Sequence, residues 1–198
     1  MKQQKHLLHL ALAVWGCLTI GCLNNACRQE RQGCRIEGIT TYKEYPSAML
    51  TDLRGKTLLT APIENGRFDL VWTDSLPAPQ VCLIHMQAPG DSTDRVDMPV
   101  VVEQGRVSVS LNEYINTSGT PLNRALQAFL NGLQGCRDEV REQPAISSEA
   151  LHTLFSNYYR QQILLNRDNV VGEYIYNQYG SHLNSADRAQ AEASLSKL

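Results

Sequence analysis

Apolar side chains recur at every second position through much of the first half of the chain. The stretch Arg35-Ile36-Glu37-Gly38-Ile39-Thr40 alternates in this way, as expected of a strand with one buried face. The Asn65-Gly66 pair is a strong hairpin signal, because both residues tolerate positive φ. A polar loop is predicted at residues 88–97. The pattern predicts strands at residues 35–40, 48–53, 57–63, 67–72, 80–86, 98–102 and 107–111.

The apolar spacing changes to three and four residues after Thr120-Pro121, which predicts helices. Thr120 is a candidate N-cap with Pro121 at the first helical position. Ser147 or Ser148 is suited to begin a second helix. Further helices are predicted near residues 170–179 and from Ser185 onward.

Strands followed by helices predict an α+β fold. We expect an N-terminal antiparallel β-sandwich-like domain at residues 34–115, followed by a C-terminal helical segment at residues 116–198.

The first 21 residues have the pattern of a secretory signal peptide. Lys2 and Lys5 precede a nearly continuous apolar run from Leu7 to Ile20. This run of 14 residues is shorter than the roughly 20 that a membrane-spanning helix needs. We therefore expect residues 1–21 to be a cleaved signal peptide.

The apolar run closes on Leu18-Thr19-Ile20-Gly21-Cys22, which resembles the bacterial lipobox. The resemblance implies cleavage before Cys22 and lipidation of that residue, with residues 22–33 as a polar tether. Cys17 is a competing site, but it lies inside the apolar run. A protein lipidated in this way is held firmly on a membrane of the cell envelope, inner or outer, and faces the periplasm.

Composition narrows the choice of partners. Charged residues make up 19% of the chain, and the formal net charge is −2. A nucleic-acid surface shows clustered lysine and arginine and a much more basic chain. We therefore expect no nucleic-acid partner, and the membrane reached through the N-terminal lipid is the expected contact.

Five short patterns follow one another along the chain from Cys34. They are Arg35-Ile36-Glu37-Gly38-Ile39, Asn65-Gly66-Arg67-Phe68-Asp69-Leu70, Val101-Val102-Glu103-Gln104-Gly105-Arg106-Val107-Ser108-Val109, Gly119-Thr120-Pro121-Leu122-Asn123, and NxxNxxGxY at residues 166–174. Their order and spacing resemble the DUF4369 family, a domain of unknown function in lipoproteins of the Bacteroidetes phylum. In that family the module precedes a thioredoxin-like domain. The sequence stops at Leu198, so the resemblance implies the module without that domain.

Four cysteines remain after removal of the signal peptide and lipidation of Cys22, namely Cys27, Cys34, Cys82 and Cys136. The sequence has no Cys-x-x-Cys pair, which thioredoxin-type exchange needs. Outside the cytosol a structural role is the favoured interpretation: a disulfide between Cys27 and Cys34, or Cys82 and Cys136 as buried small hydrophobic residues or a bridge. Four cysteines allow three pairings. The alternative is a tethered redox dithiol near the membrane, formed by Cys27 and Cys34.

Other chemical groups are weaker candidates. The densest acidic cluster does not match the spacing of a calcium loop, so a solvated loop is favoured for Asp91, Asp94, Asp97 and Glu103. The histidines show no His-x-x-x-His spacing, and neither a metal nor a cofactor is predicted. Packing is favoured over a platform for a glycan or peptide for the tyrosines of the helical half, Tyr158, Tyr159, Tyr174, Tyr176 and Tyr179.

The sequence contains no nucleophile elbow, Walker-type loop or dinucleotide-binding glycine pattern. The favoured function is therefore an envelope-anchored, non-enzymatic binding or interaction module of unknown ligand. The alternative is an accessory or truncated member of a thiol–disulfide exchange system, with a separately encoded thioredoxin-like protein as its partner.

Overall fold

The computed structural model describes residues 33–73, 78–91, 93–143 and 145–195. Within these ranges the strands are β1 Cys34–Thr40, β2 Ser47–Thr51, β3 Thr57–Pro62, β4 Arg67–Trp72, β5 Gln80–Gln87, β6 Arg95–Val102, β7 Gly105–Leu111 and β8 Ile115–Ser118. The helices are α1 Pro121–Glu142, α2 Ser148–Leu165, α3 Val170–Tyr179, a 3₁₀ helix Gly180–His182 and α4 Ser185–Leu195. Residues 1–32, which hold the predicted signal peptide and most of the tether, lie outside the described residues.

The strands form two four-stranded sheets that share one core. Sheet A has the order β4-β1-β7-β8, and sheet B has the order β3-β2-β5-β6. Neighbouring strands are antiparallel except for β1 and β7, which run parallel. The shared core includes Ile36, Leu70 and Val107 from sheet A and Leu50, Ile84 and Val100 from sheet B. The predicted α+β fold is confirmed, with a mostly antiparallel sandwich-like first half.

Two short sequence features shape the β4 side of sheet A. At the β3–β4 turn, Asn65 and Gly66 have φ values of 51° and 71°, as a two-residue type I′ hairpin turn requires. On β1, Gly38 is the register partner of Phe68 on β4, and the Phe68 ring fills the space that a Cβ on Gly38 would need. Gly38 therefore allows a large ring to enter the core between two paired strands.

The helices pack on one another and on the outer side of sheet B. Val81 of β5 and Val101 of β6 belong to the helical core rather than to the sandwich core. They share that core with Leu126, Phe129 and Ile163, none of which is exposed to solvent. Sheet A therefore presents its outer face on the opposite side of the sandwich.

Helix α1 supplies partners to the last strand of each sheet. The buried amide of Asn123 accepts the Val101 N–H of β6 at 2.9 Å and donates to the Val101 carbonyl at 2.7 Å. One helical turn later, the Gln127 amide accepts the Thr117 N–H of β8 at 2.7 Å and donates to the Ile115 carbonyl at 3.4 Å. Buried peptide groups need such partners. The two amides thus take the place of a further strand at both edges.

The N-terminus of α1 is capped from a distant loop. Thr120 occupies the predicted N-cap position, with Pro121 after it, but makes no side-chain cap bond. The buried carboxylate of Glu103 accepts the N–H groups of Leu122 and Asn123 at 2.9 and 3.2 Å instead. A carboxylate there also meets the positive end of the helix dipole.

The joint between α2 and α3 is built from polar residues. Asn166 ends α2 and donates its side-chain amide to the Gln162 carbonyl at 3.0 Å. Asn169 caps α3 by accepting the Val171 N–H at 2.9 Å. Gly172 lies so close to the Asn166 backbone that a Cβ would overlap the carbonyl group. These residues fix the sharp change of direction between the two helices.

The structure differs from the sequence-based prediction at β6 and β8. β6 begins at Arg95, inside the stretch 88–97 that was predicted to be a polar loop. The first outward side chains of this strand, Arg95 and Asp97, are charged, so the sequence alone indicates a loop there. β8 has no counterpart among the predicted strands, since three of its four residues are exposed and no alternation is visible. β8 also spans the predicted domain boundary at residues 115–116, and the chain after residue 31 forms one compact unit.

None of the helices in the described ranges combines the length and apolar character needed to cross a membrane.

Candidate functional site

The structure places the predicted cysteines in different environments. Cys22, the predicted lipid site, and Cys27 lie outside the described residues. Cys34 and Cys82 lie in the sandwich core, 2% and 0% exposed, whereas Cys136 on α1 is partly exposed. All three described cysteines are free thiols, so Cys82 and Cys136 are not bridged to each other.

Burial makes the two core thiols poor nucleophiles. Removal from water disfavours the thiolate, which raises the pKa of Cys82 to about 12. Burial also raises the pKa of Cys34, opposed by a hydrogen bond from the Glu103 backbone and reinforced by the nearby Glu103 carboxylate. Since the thiolate is the species that attacks a disulfide, neither thiol is prepared for exchange in the folded protein.

The acidic residues of the predicted cluster have separate partners. Asp91 accepts the Thr93 N–H at 2.8 Å, Asp94 the Tyr45 hydroxyl at 2.7 Å, Asp97 faces the His85 ring at 2.6 Å, and Glu103 caps α1. Glu103 is only 8% exposed and therefore does not belong to a solvated loop. In the part of the chain that the structure describes, no three His, Cys, Asp or Glu side chains converge to hold a metal ion.

His85 and Asp97 form a cross-strand pair on the outer side of sheet B. The His85 Nδ1 atom lies 2.6 Å from Asp97 Oδ1, and Arg95 Nε lies 3.2 Å from Asp97 Oδ2. A His–Asp pair activates a nucleophile only when the other ring nitrogen faces a hydroxyl or thiol. Here that nitrogen faces the amide oxygen of Gln87 at 3.2 Å. The arrangement is that of a surface ion-pair cluster.

The tyrosines of the helical half are packing residues. The ring centroids of Tyr159 and Tyr179 lie 4.8 Å apart, and Phe129 lies 5.4 Å from Tyr179. Tyr158 donates its hydroxyl to the Phe129 carbonyl at 2.6 Å, and Tyr174 is 7% exposed. Rings and hydroxyls are therefore used inside the helical core, which supports the packing interpretation.

The outer face of sheet A is the candidate binding surface. The described helices contact β5, β6 and β8, whereas the outward side chains of β1 and β4 remain partly or fully exposed. The apolar side chains of Ile39 and Val71 are 44% and 45% exposed on this face. The outward positions of β1, β4 and β7 are Arg35, Glu37, Ile39, Arg67, Asp69, Val71, Arg106, Ser108 and Ser110.

Four charges of this face form a network across three strands. Arg35 donates through Nε to Asp69 Oδ1 at 3.0 Å and through Nη2 to Oδ2, and the same Nε lies 3.1 Å from Glu37 Oε1. Arg106 Nη1 lies 3.1 Å from that Glu37 oxygen. These pairs neutralise one another, whereas Arg67 has no ion-pair partner among the described residues. Exposed pairs of this kind contribute at most about 1 kcal/mol each.

Two adjoining depressions mark the same face. One has a volume of about 940 Å³ and reaches Pro62 at the end of β3; the other has about 440 Å³ and reaches Tyr114, which is 79% exposed. They share Ile39, Ser108 and Val109 as lining residues. Both are open to solvent rather than enclosed, so they suit a partner that lies across the surface more than a buried small ligand. The face as a whole can bind a partner through apolar contacts bordered by polar groups.

Sequence reasoning did not single out this surface. The alternating charges of β1 and β4 are visible in the sequence. However, the face exists only because β1 also pairs in parallel with β7, far along the chain. A parallel pair has no hairpin to mark its register, so no local signal could place Arg106 beside Glu37.

No family model matches the chain, and comparison with curated proteins gives no match. The resemblance to the DUF4369 family rests on the five short patterns and stays a prediction.

Proposed function

We propose that the protein is a lipid-anchored interaction module of the bacterial cell envelope, and that it binds its partner on the outer face of sheet A without catalysing a reaction. The observation that supports this proposal is the pair of adjoining depressions on a sheet face that the helices leave open. Lipid on Cys22 anchors the chain to a membrane, inner or outer, and the fold faces the periplasm.

The chemistry of the face supports binding. Ile39, Val71 and Tyr114 expose apolar surface beside charges that are already paired with one another. Protein interfaces combine an apolar centre with a polar border in a similar way. A partner therefore gains apolar contact on this face without having to separate the existing ion pairs.

The thiol–disulfide alternative has less support in the described residues. Cys34 and Cys82 are buried thiols of raised pKa. Burial and the nearby Glu139 carboxylate also raise the pKa of the more accessible Cys136. A role beside a separately encoded thioredoxin-like protein would therefore need chemistry from outside these residues.

Site-specific cross-linking tests the proposed surface. A photoreactive amino acid replaces Ile39 on the outer face of sheet A, and, as a control, His152 on the exposed side of α2. We expect a discrete adduct at position 39 in intact cells and none at position 152. Adducts of equal yield at both positions, or at neither, contradict the assignment of this face.

Metabolic labelling with a fatty-acid analogue tests the anchor. Cys22→Ser is expected to abolish the label, whereas Cys17→Ser is expected to retain it. Label that persists in Cys22→Ser contradicts lipidation at Cys22.

A further inference from the structure

The depression of about 440 Å³ on the outer face of sheet A lies over β7 and β8, the last two strands in the order of that sheet. In the register of this pair, Ser108 lies opposite Ser118, and Ser110 lies opposite Asn116. Thr117 is buried, whereas Asn116 and Ser118 on either side of it are exposed. The two serines of β7 and these two residues of β8 therefore point outward in two cross-strand rows, which lie about 7 Å apart along the strands.

Two apolar side chains border these polar rows. Tyr114 lies in the connection between β7 and β8 and is 79% exposed, and Ile39 on β1 is the register partner of Ser110. Both line the depression. An exposed tyrosine ring presents apolar area, and a ligand that packs on the ring removes this area from water. The depression thus combines neutral polar groups with exposed apolar surface.

The lining of this depression carries no charge in the part of the chain that the structure describes. Its residues are serine, asparagine, tyrosine, isoleucine and valine. The adjoining depression of about 940 Å³ is lined by Arg35, Glu37, Arg67 and Asp69, among others. Arg and Lys are the residues that bind phosphates and carboxylates, because their charge strengthens the hydrogen bonds. The neutral lining therefore fits an uncharged ligand better than an anion or a charged peptide.

Most polar groups of the lining are not used within the fold. Four side chains make no hydrogen bond to a residue in the described ranges, namely Ser108, Tyr114, Asn116 and Ser118. Asn112 donates to the Ser110 hydroxyl oxygen at 2.8 Å, which leaves the hydrogen of that hydroxyl available to a ligand. Hydroxyl and primary amide groups both donate and accept hydrogen bonds. The depression therefore complements a ligand whose own groups do both.

Two other kinds of partner fit the depression less well. A strand added here would need the β8 edge, but Gln127 already accepts the Thr117 N–H and donates to the Ile115 carbonyl. An apolar partner, such as the acyl chains of a lipid, would take the outward hydroxyls out of water without giving them hydrogen-bond partners. The favoured ligand therefore contacts the outward side chains and carries apolar surface and hydroxyl groups close together.

We propose that this depression binds a neutral glycan chain. A sugar ring has an apolar face of C–H groups and hydroxyl groups at its edge, each of which donates and accepts hydrogen bonds. The apolar face packs on Tyr114, and the hydroxyls bond to the serine and asparagine side chains of β7 and β8. Because the depression is open to solvent, the glycan lies across the sheet. This inference rests on the proposed function, since it names the ligand class for one part of the same face.

The probes are four neutral hexasaccharides, namely maltohexaose, laminarihexaose, mannohexaose and xylohexaose, with the acidic hexagalacturonate for comparison. Each is titrated into the full chain carrying Cys22→Ser, and the backbone amide shifts are followed by NMR. We expect at least one neutral hexasaccharide to bind with a Kd below about 1 mM. Its saturable shifts should centre on Ser108, Asn116 and Ser118. The amide of Val71, which lies on β4 beyond β1, should stay unshifted.

Variants at position 114 separate the ring from its hydroxyl. Tyr114→Ala removes the ring and should weaken binding by about tenfold or more. Tyr114→Phe keeps the ring and should bind within about threefold of the parent. Leu165→Ala is the matched control, since it removes a similarly exposed apolar side chain on α2, and it should bind as the parent does. The amide spectrum of each variant without ligand checks that the fold is retained.

Saturable shifts centred on β7 and β8, with binding weakened in Tyr114→Ala and kept in Tyr114→Phe, support the glycan site. Equal loss in both variants at position 114 contradicts packing on the ring. Tighter binding of hexagalacturonate than of every neutral hexasaccharide overturns the neutral ligand class. The absence of a saturable shift with any neutral hexasaccharide up to about 5 mM overturns the glycan site altogether. The cross-linking experiment at position 39 then decides separately whether the face binds another partner.

Discussion

At the scale of single residues, the positions that carry the family resemblance have structural roles. Gly38 makes room for Phe68, Asn65 bends the hairpin, and Asn169 caps α3. Glu103 and Asn123 bind the N-terminus of α1 and the β6 edge. The resemblance therefore concerns how the chain folds, and it does not identify a ligand.

Gly38→Ala should lower the free energy of unfolding by about 1–3 kcal/mol, because the new methyl group enters the space of the Phe68 ring. Urea unfolding measures the change. Gly135→Ala is the matched control: position 135 lies in α1 with open space around a Cβ, and alanine there should stabilise by up to about 1 kcal/mol. Equal stability of the two variants would contradict the packing argument.

The stability that the Tyr45 side chain contributes depends on pH in the alkaline range. Its hydroxyl donates to Asp94 Oδ1 at 2.7 Å, and this bond raises the pKa of Tyr45 to about 12. An unfolded tyrosine titrates near pH 10. The hydrogen bond therefore contributes fully below about pH 10 and is lost as the pH rises towards 12.

Tyr45→Phe should accordingly lower the free energy of unfolding by about 1 kcal/mol near neutral pH. The difference in this free energy between the variant and the parent should shrink through the alkaline range. Chemical unfolding at a series of pH values measures both effects. Tyr114→Phe, at an exposed position without a hydrogen bond to the described residues, should change neither. A difference for Tyr45→Phe that is independent of pH would contradict the assigned bond.

At the scale of elements, α1 serves as an edge partner for both sheets. Asn123→Leu leaves the N–H and carbonyl of Val101 without these side-chain partners. The substitution should therefore lower the free energy of unfolding by about 2–4 kcal/mol. Amide exchange at Val101 should quicken in the same variant. Gln134→Leu removes only an exposed hydrogen bond to Asp138. Its free energy of unfolding should stay within about 0.5 kcal/mol of that of the parent. Similar effects of the two substitutions would show that α1 does not hold the β6 edge.

The same elements show how far the sequence predicts the fold. Local patterns were sufficient for β4 and for the Asn65-Gly66 turn, because alternation and turn chemistry act over a few residues. Local patterns do not predict β8, because this strand is held by β7 and by Gln127 and has no alternating apolar residues of its own. The candidate surface escapes it too, because the pairing of β1 with β7 joins distant segments.

At the scale of the whole molecule, the reactivity of Cys34 and Cys82 shows whether the two sheets unfold together, because these thiols lie in different sheets that share one core. We expect iodoacetamide to modify Cys136 first and the two core thiols more than about a hundredfold more slowly, through opening of the fold. Both core thiols should react at one common rate. Mass spectrometry of timed samples measures this, and early modification of Cys34 alone would show that sheet A opens independently.

The dependence of β6 and β8 on α1 has a consequence for biosynthesis. The ribosome synthesises the chain from its N-terminus, so all residues of both sheets have been made before Asn123 and Gln127 are added. Until then the β6 and β8 edges are available to strands of other nascent chains. Synthesis of this protein therefore includes an interval of exposure to aggregation, which ends when the first turns of α1 dock.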